Sequence, residues 1–335
     1  MNKEEFYFQW HFTNKCNLRC AHCYQSAYHY SDLPWEKLQL IADQITNALK
    51  KWNMLGRISL TGGEPFLSPN LDKLINYVEK SAEIKQFDIL TNGTCITPHH
   101  LDILKKCQKL HQIQISIDGP NSEIHDAVRG QGTFKTVKDT ILSLKSNGLS
   151  VSLMFTLMRK NMESAINVID FAEKYGVDAV TIERVTPCGH SNLSDILTAD
   201  EIRDIYEQIT LRANRLGASP TVRRLRPLWI NTAHLNSSKN NKIGGFCPVG
   251  FTSLAILWDG TVLPCRRLNI PIGNILTDGL FKIWYSNDIL WNIRNKNNLK
   301  GKCHSCHNVE RCGGCRAIAY ETTGDYMGED TQCWI

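Results

Sequence analysis

Between Phe6 and Leu216 the chain alternates short runs rich in β-branched and aromatic residues with longer amphipathic stretches, and this alternation restricts the fold more than any other feature. The strand-like runs are FYFQWHF at 6–12, RISLT at 57–61, QFDILT at 86–91, IQISID at 113–118, LSVSLMFT at 149–156 and AVTIER at 179–184. Between them apolar residues recur at helical spacing, as in PWEKLQLIADQITNALKKW from Pro34, NLDKLINYVEKSA from Asn70 and SAINVIDFAEKYG ending at Gly176. Strands separated by helices of this length lie parallel, joined by right-handed crossovers. Six such units predict an α/β fold with a parallel sheet, either open and doubly wound or an incomplete barrel; periodicity does not choose between the two. In both, chemistry belongs at the carboxyl ends of the strands.

A chain of 335 residues fits two domains. From about Ser219 to Gly245 the alternation fails in polar, turn-rich sequence such as NSSKNNKIGG, so the expected division is a domain at 1–220, a linker at 221–245 and a second domain at 246–335. The 38 basic and 33 acidic residues are spread along the chain, which does not support nucleic acid as a partner. MNKEEFYFQWHF lacks the apolar core of a signal peptide, and no apolar run approaches the ~20 residues that span a bilayer. The expected compartment is the cytoplasm, without membrane association. Thirteen cysteines in a reducing compartment are better explained by metal than by disulfides.

Cys16, Cys20 and Cys23 fall in the loop after the first strand, where chemistry is expected. Structural zinc wants four ligands in a closed tetrahedron, whereas three thiols in one loop, with no fourth ligand of its own, suit a four-iron cluster with one iron open. After the second strand comes TGGEP, Thr61 to Pro65; glycines admit close backbone approach, and a carboxylate accepts from an ammonium. TNGT ends the third strand and SIDGPNSEIHDAVRG follows the fourth.

The C-x-x-x-C-x-x-C spacing in this context resembles the radical S-adenosylmethionine (SAM) enzymes, in which three cysteines bind a 4Fe–4S cluster and the methionine of SAM chelates the fourth iron. The resemblance implies that Gly62, Gly63, Glu64 and Pro65 meet the methionine amino group. It implies that Ser116 and Arg129 contact ribose and the methionine carboxylate, and that His22, at a usually aromatic position, lies near adenine. For a lone histidine, a surface or satisfied core group is the competing reading. Glu64, Asp118 and Arg129 look committed to cofactor and loop structure.

In the second half Cys247, Gly260, Cys265, the run CHSCHNVERCGGC and Cys333, with GNI at 273–275 followed by LFKIWYSN, resemble the SPASM extension, which holds two auxiliary 4Fe–4S clusters. The fold so implied is a partial (β/α)6 barrel with a Cys-rich extension. By analogy Cys303, Cys306, Cys312 and Cys333 ligate one cluster, leaving Cys247, Cys265 and Cys315 for another with an open or non-cysteine fourth site. Cys312 and Cys315 stand one residue closer than in the commonest family pattern. Taken without the N-terminal loop, CHSCHNVERCGGC also reads as a zinc ribbon. Short Gly- and Pro-containing segments build little core over ~90 residues, so metal is expected to help hold this part together. Cys95 and Cys107 read as inert buried thiols. Cys188, after the sixth strand, is a hydrogen-atom donor, a cluster ligand or a partly buried loop thiol.

The resemblance implies cleavage of SAM to a 5′-deoxyadenosyl radical, with three clusters and SAM as cofactors and a flavodoxin- or ferredoxin-type electron donor. The expected substrate is a ribosomally made peptide receiving a thioether or carbon crosslink, an epimerisation or an oxidation. A sugar, aminoglycoside or tetrapyrrole is the alternative, and a non-catalytic zinc or iron–sulfur protein is the alternative outside enzymes. Since the first strand begins at about residue 6, a detached recognition protein is expected to present the peptide. Sulfatase maturases carry Asp where this chain has Arg266, which argues against that activity. No acid or base residue is nominated.

Overall fold

The structure, a computed structural model, describes residues 3–25, 28, 32–216, 221–224, 230–231, 242–243, 247–310 and 312–335. Six strands, β1 (Glu5–Thr13), β2 (Leu55–Gly62), β3 (Ile84–Thr91), β4 (Leu110–Ser116), β5 (Val151–Leu157) and β6 (Ala179–Arg184), pair in sequence order and in parallel. Helices α1 (Trp35–Trp52), α2 (Leu71–Lys80), α3 (Pro98–Leu104), α4 (Ser122–Arg129), α5 (Thr133–Ser146) and α6 (Ala165–Lys174) connect them, and α7 (Ala199–Asn214) follows β6. All the expected strands are present, within a few residues of their expected ends.

The sheet does not stop at six. β7 (Thr221–Arg224) continues it in parallel beyond β6, and two-residue strands β8 (Ile230–Asn231) and β9 (Lys242–Ile243) pair apart from it. These are the described parts of the expected 221–245 linker; its other residues lie outside the described ones. On the opposite edge β10 (Ser253–Ile256) pairs in parallel with β1, and β11 (Thr261–Leu263) and β12 (Gly273–Asn274) follow antiparallel. The order β12-β11-β10-β1-β2-β3-β4-β5-β6-β7 leaves the barrel open. The cysteine-rich part therefore joins the barrel through one sheet.

Alternation along β1 explains its placement. Phe6, Phe8, Trp10 and Phe12 are buried on the helix side, while Tyr7 and Gln9 line a cavity inside the open barrel. α1 buries Leu38, Ile41, Ala42, Ile45 and Leu49, a stripe at helical spacing, and ends at Asn53 in the left-handed region. Helices α8 (Leu280–Ser286), α9 (Asp288–Arg294) and α10 (Arg316–Thr323) complete the chain. Trp284 of α8 meets Phe6 edge-on at 5.0 Å, and Trp52 stacks on Phe6 at the same distance, so both parts share one core. A second, smaller cluster around Leu268, Ile293, Ile318 and Met327 includes Cys303 and Cys315.

A buried ion pair also crosses between the two parts. The Arg184 guanidinium at the end of β6 donates to both carboxylate oxygens of Asp330, at 3.1 and 3.0 Å, and to Gln332 Oε1 at 3.2 Å. Both partners are at most 1% exposed. Burial alone would raise the Asp330 carboxyl, but Arg184 and the Cys315 amide outweigh it and hold it below its usual range.

Breaking one half of such a pair costs about 3–5 kcal/mol. Urea unfolding of anaerobically purified protein should show a loss of that size for Asp330→Ala, largely recovered in the Arg184→Met/Asp330→Leu double variant. The pair's contribution should be complete above about pH 4, the range of an unfolded aspartate, and fall away as pH drops through the depressed native value. A loss for Asp330→Ala within the ~1 kcal/mol of a surface pair would contradict a structural role.

Candidate active site

The loop that carries Cys16, Cys20 and Cys23 has no regular structure and is shaped by its neighbours. Gly63 N–H donates to Thr13 O at 3.0 Å and Glu64 N–H to Lys15 O at 2.6 Å, which ties it to the end of β2. Ala21 N–H donates to Val128 O of α4 at 2.9 Å, and His190 N–H donates to Cys23 O at 2.8 Å. A side chain at Gly63 would collide with Lys15 O and Cys16 Cβ. The need for glycine here is therefore first a packing one, on the cysteine loop itself.

These contacts turn the three thiols into a cavity of about 270 Å³, close to the ~300 Å³ lower end of ligand pockets. Gly62, Gly63, Ser116, Arg129 and His22 share its wall with the thiols. α4 positions Arg129: Asn121 caps its start by accepting from Ile124 N–H at 3.1 Å, and the helix ends at Gly130. Arg129 Nε donates to Asp118 at 2.6 Å, and its Nη1 lies 3.8 Å from Cys20 Sγ. Asp118 also accepts from Thr156 N–H at 3.0 Å; burial opposes its charge, but Arg129 prevails and holds the carboxyl below the usual range. Burial lowers His22 to about 4, so its ring is neutral near pH 7. Arg129 lies 3.5 Å from His22 Nε2, while Nδ1 is buried with no hydrogen-bond partner.

Glu64 and Pro65 are not on the cavity wall. The Glu64 carboxylate is fully buried and accepts from Phe66 N–H at 3.1 Å, Thr91 Oγ1 at 2.7 Å and Asn92 N–H at 2.8 Å. Burial raises it to about 7 against these donors. It fastens the end of β3 to the glycine turn, and the backbone of Gly62 and Gly63 faces the cavity instead. Asn92 joins the wall, with its Nδ2 3.9 Å from Cys16 Sγ.

In the second half, Cys303, Cys306, Cys312 and Cys333 line one small cavity. Gly313 and Gly314 both adopt positive φ, and a Cβ on Gly314 would lie 2.8 Å from Cys303 Sγ. Cys247 and Cys265 line a third cavity, of about 190 Å³; Cys315 is not on its wall but lies close enough to raise both thiols electrostatically. Cys265 also lines the first cavity, opposite the N-terminal loop, a juxtaposition that spacing alone does not reveal. Cys188 lines none of these cavities, Cys95 and Cys107 do not either, and burial raises all three thiols.

Whether these residues fit iron–sulfur clusters can be tested on the sulfurs themselves. Cys16, Cys23, Cys306 and Cys312 each accept from the backbone N–H two residues on, at 3.4–3.5 Å. Burial raises Cys247, Cys265 and Cys333, and the same turn opposes it through the amides of Val249, Arg267 and Ile335. An amide aimed at sulfur favours the thiolate. Cys107 shows the opposite polarity, donating to Ile103 O at 3.5 Å. Among the described residues no three His, Cys, Asp or Glu side chains converge tightly enough for a single metal ion. Nine of the ten expected ligand thiols instead line cavities, Cys315 being the exception, and an all-thiol donor set fits an iron–sulfur cluster.

If Glu64 organises the loop, Glu64→Gln should lower both iron retention and thermal stability as well as SAM affinity. A variant that keeps full iron content and stability while losing SAM affinity would return the carboxylate to direct contact with SAM.

Comparison with known proteins agrees with this geometry. Residues 10–172 match the radical SAM superfamily and residues 247–307 match the SPASM iron–sulfur cluster-binding domain. The AdoMet-dependent heme synthase of Methanosarcina barkeri is 27% identical, over 97% of this chain and 95% of that protein. The mycofactocin maturase MftC of Mycobacterium tuberculosis is 27% identical, over 97% and 81%. The crystal structure of Streptococcus suis SuiB bound to precursor peptide SuiA superposes with a TM-score of 0.78 at 18% identity, covering 99% of this chain and 76% of that one, a likeness of fold. With three thiols and a glycine turn on one cavity at the strand ends, and SPASM cysteines on the next, the chain belongs to the radical SAM superfamily and is a radical SAM enzyme with a SPASM domain.

Proposed function

We propose that this enzyme cleaves SAM in the large cavity and abstracts hydrogen from a ribosomally made peptide. The observation that carries the reading is the single cavity whose wall includes Cys16, Cys20 and Cys23 together with Cys265. A cluster held by Cys16, Cys20 and Cys23 would supply one electron to the SAM sulfonium, whose bond to the 5′ carbon breaks to give methionine and the 5′-deoxyadenosyl radical. Gly62 and Gly63 offer backbone to the methionine end, and Arg129, held in place by Asp118, offers its remaining N–H groups to the carboxylate. Ser116 serves the ribose, and the unpartnered Nδ1 of His22 is available to the base. Gly62 and Arg129 are buried and Gly63, Ser116 and His22 half-buried, an enclosure that limits access of water to a reactive carbon radical.

Cys303, Cys306, Cys312 and Cys333 hold one auxiliary cluster. Cys247, Cys265 and Cys315 hold a second, whose remaining site is open or filled by a non-cysteine ligand. The part before residue 221 is the SAM-cleaving unit and the part after 246 the auxiliary unit, in the cytoplasm, with a flavodoxin- or ferredoxin-type protein supplying electrons. Cys188 lies off the cavity walls and is given no role. A peptide substrate is supported by the similarity to the mycofactocin maturase and by the fold shared with a SuiA-bound enzyme, and a separate recognition protein would present it. Similarity over 95% of a heme synthase supports a tetrapyrrole as the second reading.

Anaerobic reconstitution should give about twelve irons per chain, falling to about eight when Cys16, Cys20 and Cys23 are replaced by alanine, with 5′-deoxyadenosine release abolished. Zinc without release from the unmodified protein would overturn the reading. Arg129→Lys keeps the charge but loses the fork, and should weaken SAM binding about tenfold, the scale of one charge-assisted hydrogen bond. Unchanged affinity would remove Arg129 from the site. Release stimulated by a precursor peptide encoded nearby, with a mass change in that peptide, supports the first substrate class; stimulation by an iron tetrapyrrole alone supports the second.

A further inference from the structure

Four guanidinium groups reach the wall of the large cavity, from Arg129, Arg184, Arg266 and Arg267. Three are matched by carboxylates: Arg129 by Asp118 at 2.6 Å, Arg184 by Asp330 at 3.0 Å and Arg267 by Glu183 at 3.3 Å. Arg266 has no acidic partner among the described residues. It is 7% exposed, its Nε is buried without a hydrogen-bond partner, and its guanidinium lies 3.9 Å over the ring of Tyr24. A ring face offsets only part of the cost of burying a cation.

We infer that Arg266 is a specificity residue that receives a carboxylate of the substrate, between the SAM-binding thiols and Cys265. A single unmatched cation calls for a single negative charge, and the planar guanidinium fork suits a planar group bound through two oxygens. Tyr24 fixes the plane of the guanidinium, and His11 in turn meets Tyr24 edge-on at 5.7 Å. Of the cysteines, Arg266 acts on the Cys188 thiol, together with Arg267, and not on the expected cluster ligands Cys247 and Cys265. Arg267 is the arginine that stabilises the thiolates of Cys247 and Cys265, and it already has Glu183. The inference rests on reading the cavity as the SAM-cleaving site, but holds for a peptide end, an acidic side chain or a small-molecule acid alike.

Calorimetry on the reconstituted protein with saturating SAM tests it, using two matched pairs of probes: benzoate against benzamide, and N-acetylalanine against N-acetylalaninamide. Each acid should bind at least about tenfold more tightly than its amide. The preference should vanish in Arg266→Gln and persist in part in Arg266→Lys, with iron content and SAM binding unchanged in both. The pair with the larger preference distinguishes a small-molecule acid from a chain end. Equal binding of acid and amide to the unmodified protein overturns the inference, a result that does not depend on any variant folding. So does an acid preference that survives in Arg266→Gln, including the case where that variant alters only the electron paramagnetic resonance of the auxiliary clusters. Titration without SAM separates the two readings: an Arg266-dependent acid preference in a protein that never binds SAM would sink the cofactor assignment and keep the carboxylate site.

Discussion

The cysteine loop after β1 is held from outside, and the rest of the site depends on that. Its backbone is fastened by Gly63 and Glu64 at the end of β2, by Val128 in α4 and by His190 after β6. Each of these partners belongs to a loop or helix that a different parallel strand delivers to the same edge of the sheet. Because the fastening uses main-chain groups, the thiols stay free to line the cavity, and Cys16 and Cys23 each accept from the amide two residues on. Parallel strands, right-handed crossovers and a glycine turn are thus the physical reason that three cysteines within eight residues can act as one site.

The second half reaches the same cavity by two means. β10 adds itself to the free edge of β1, and the buried Arg184–Asp330 pair fixes the C-terminal cysteine loops to the end of β6. Asp330 also accepts from Cys315 N–H and its own amide lies 3.5 Å from Cys303 Sγ, so one aspartate orders parts of both C-terminal thiol sets. With few apolar residues in the smaller core, such polar fastening and bound clusters carry more of the order there.

Much of this was legible in the sequence. The alternation in FYFQWHF gives β1 and its two faces, since Phe6, Phe8, Trp10 and Phe12 repeat at period two, and the spacing of the first three cysteines gives the site. β7 and β10 were not legible: each has four residues, and their pairing comes from partners far away in the chain. Glu64 illustrates a different limit. The residue type was read from the motif, but whether a carboxylate faces a ligand or three backbone and hydroxyl donors depends on the neighbouring strand end, which no local pattern encodes. For the same reason Arg184 and Arg267, and the place of Arg266 on the cavity wall, emerged only from the folded chain.

The central claim is that one iron of the N-terminal cluster lacks a protein ligand and takes SAM in its place. Electron–nuclear double resonance of the reduced protein mixed with SAM carrying ¹⁷O and ¹⁵N in its methionine carboxylate and amino groups tests this directly. Hyperfine coupling from both labels to the cluster, absent when Cys16, Cys20 and Cys23 are replaced by alanine, is the predicted result. A fully loaded N-terminal cluster that shows no coupling to either label would contradict the account.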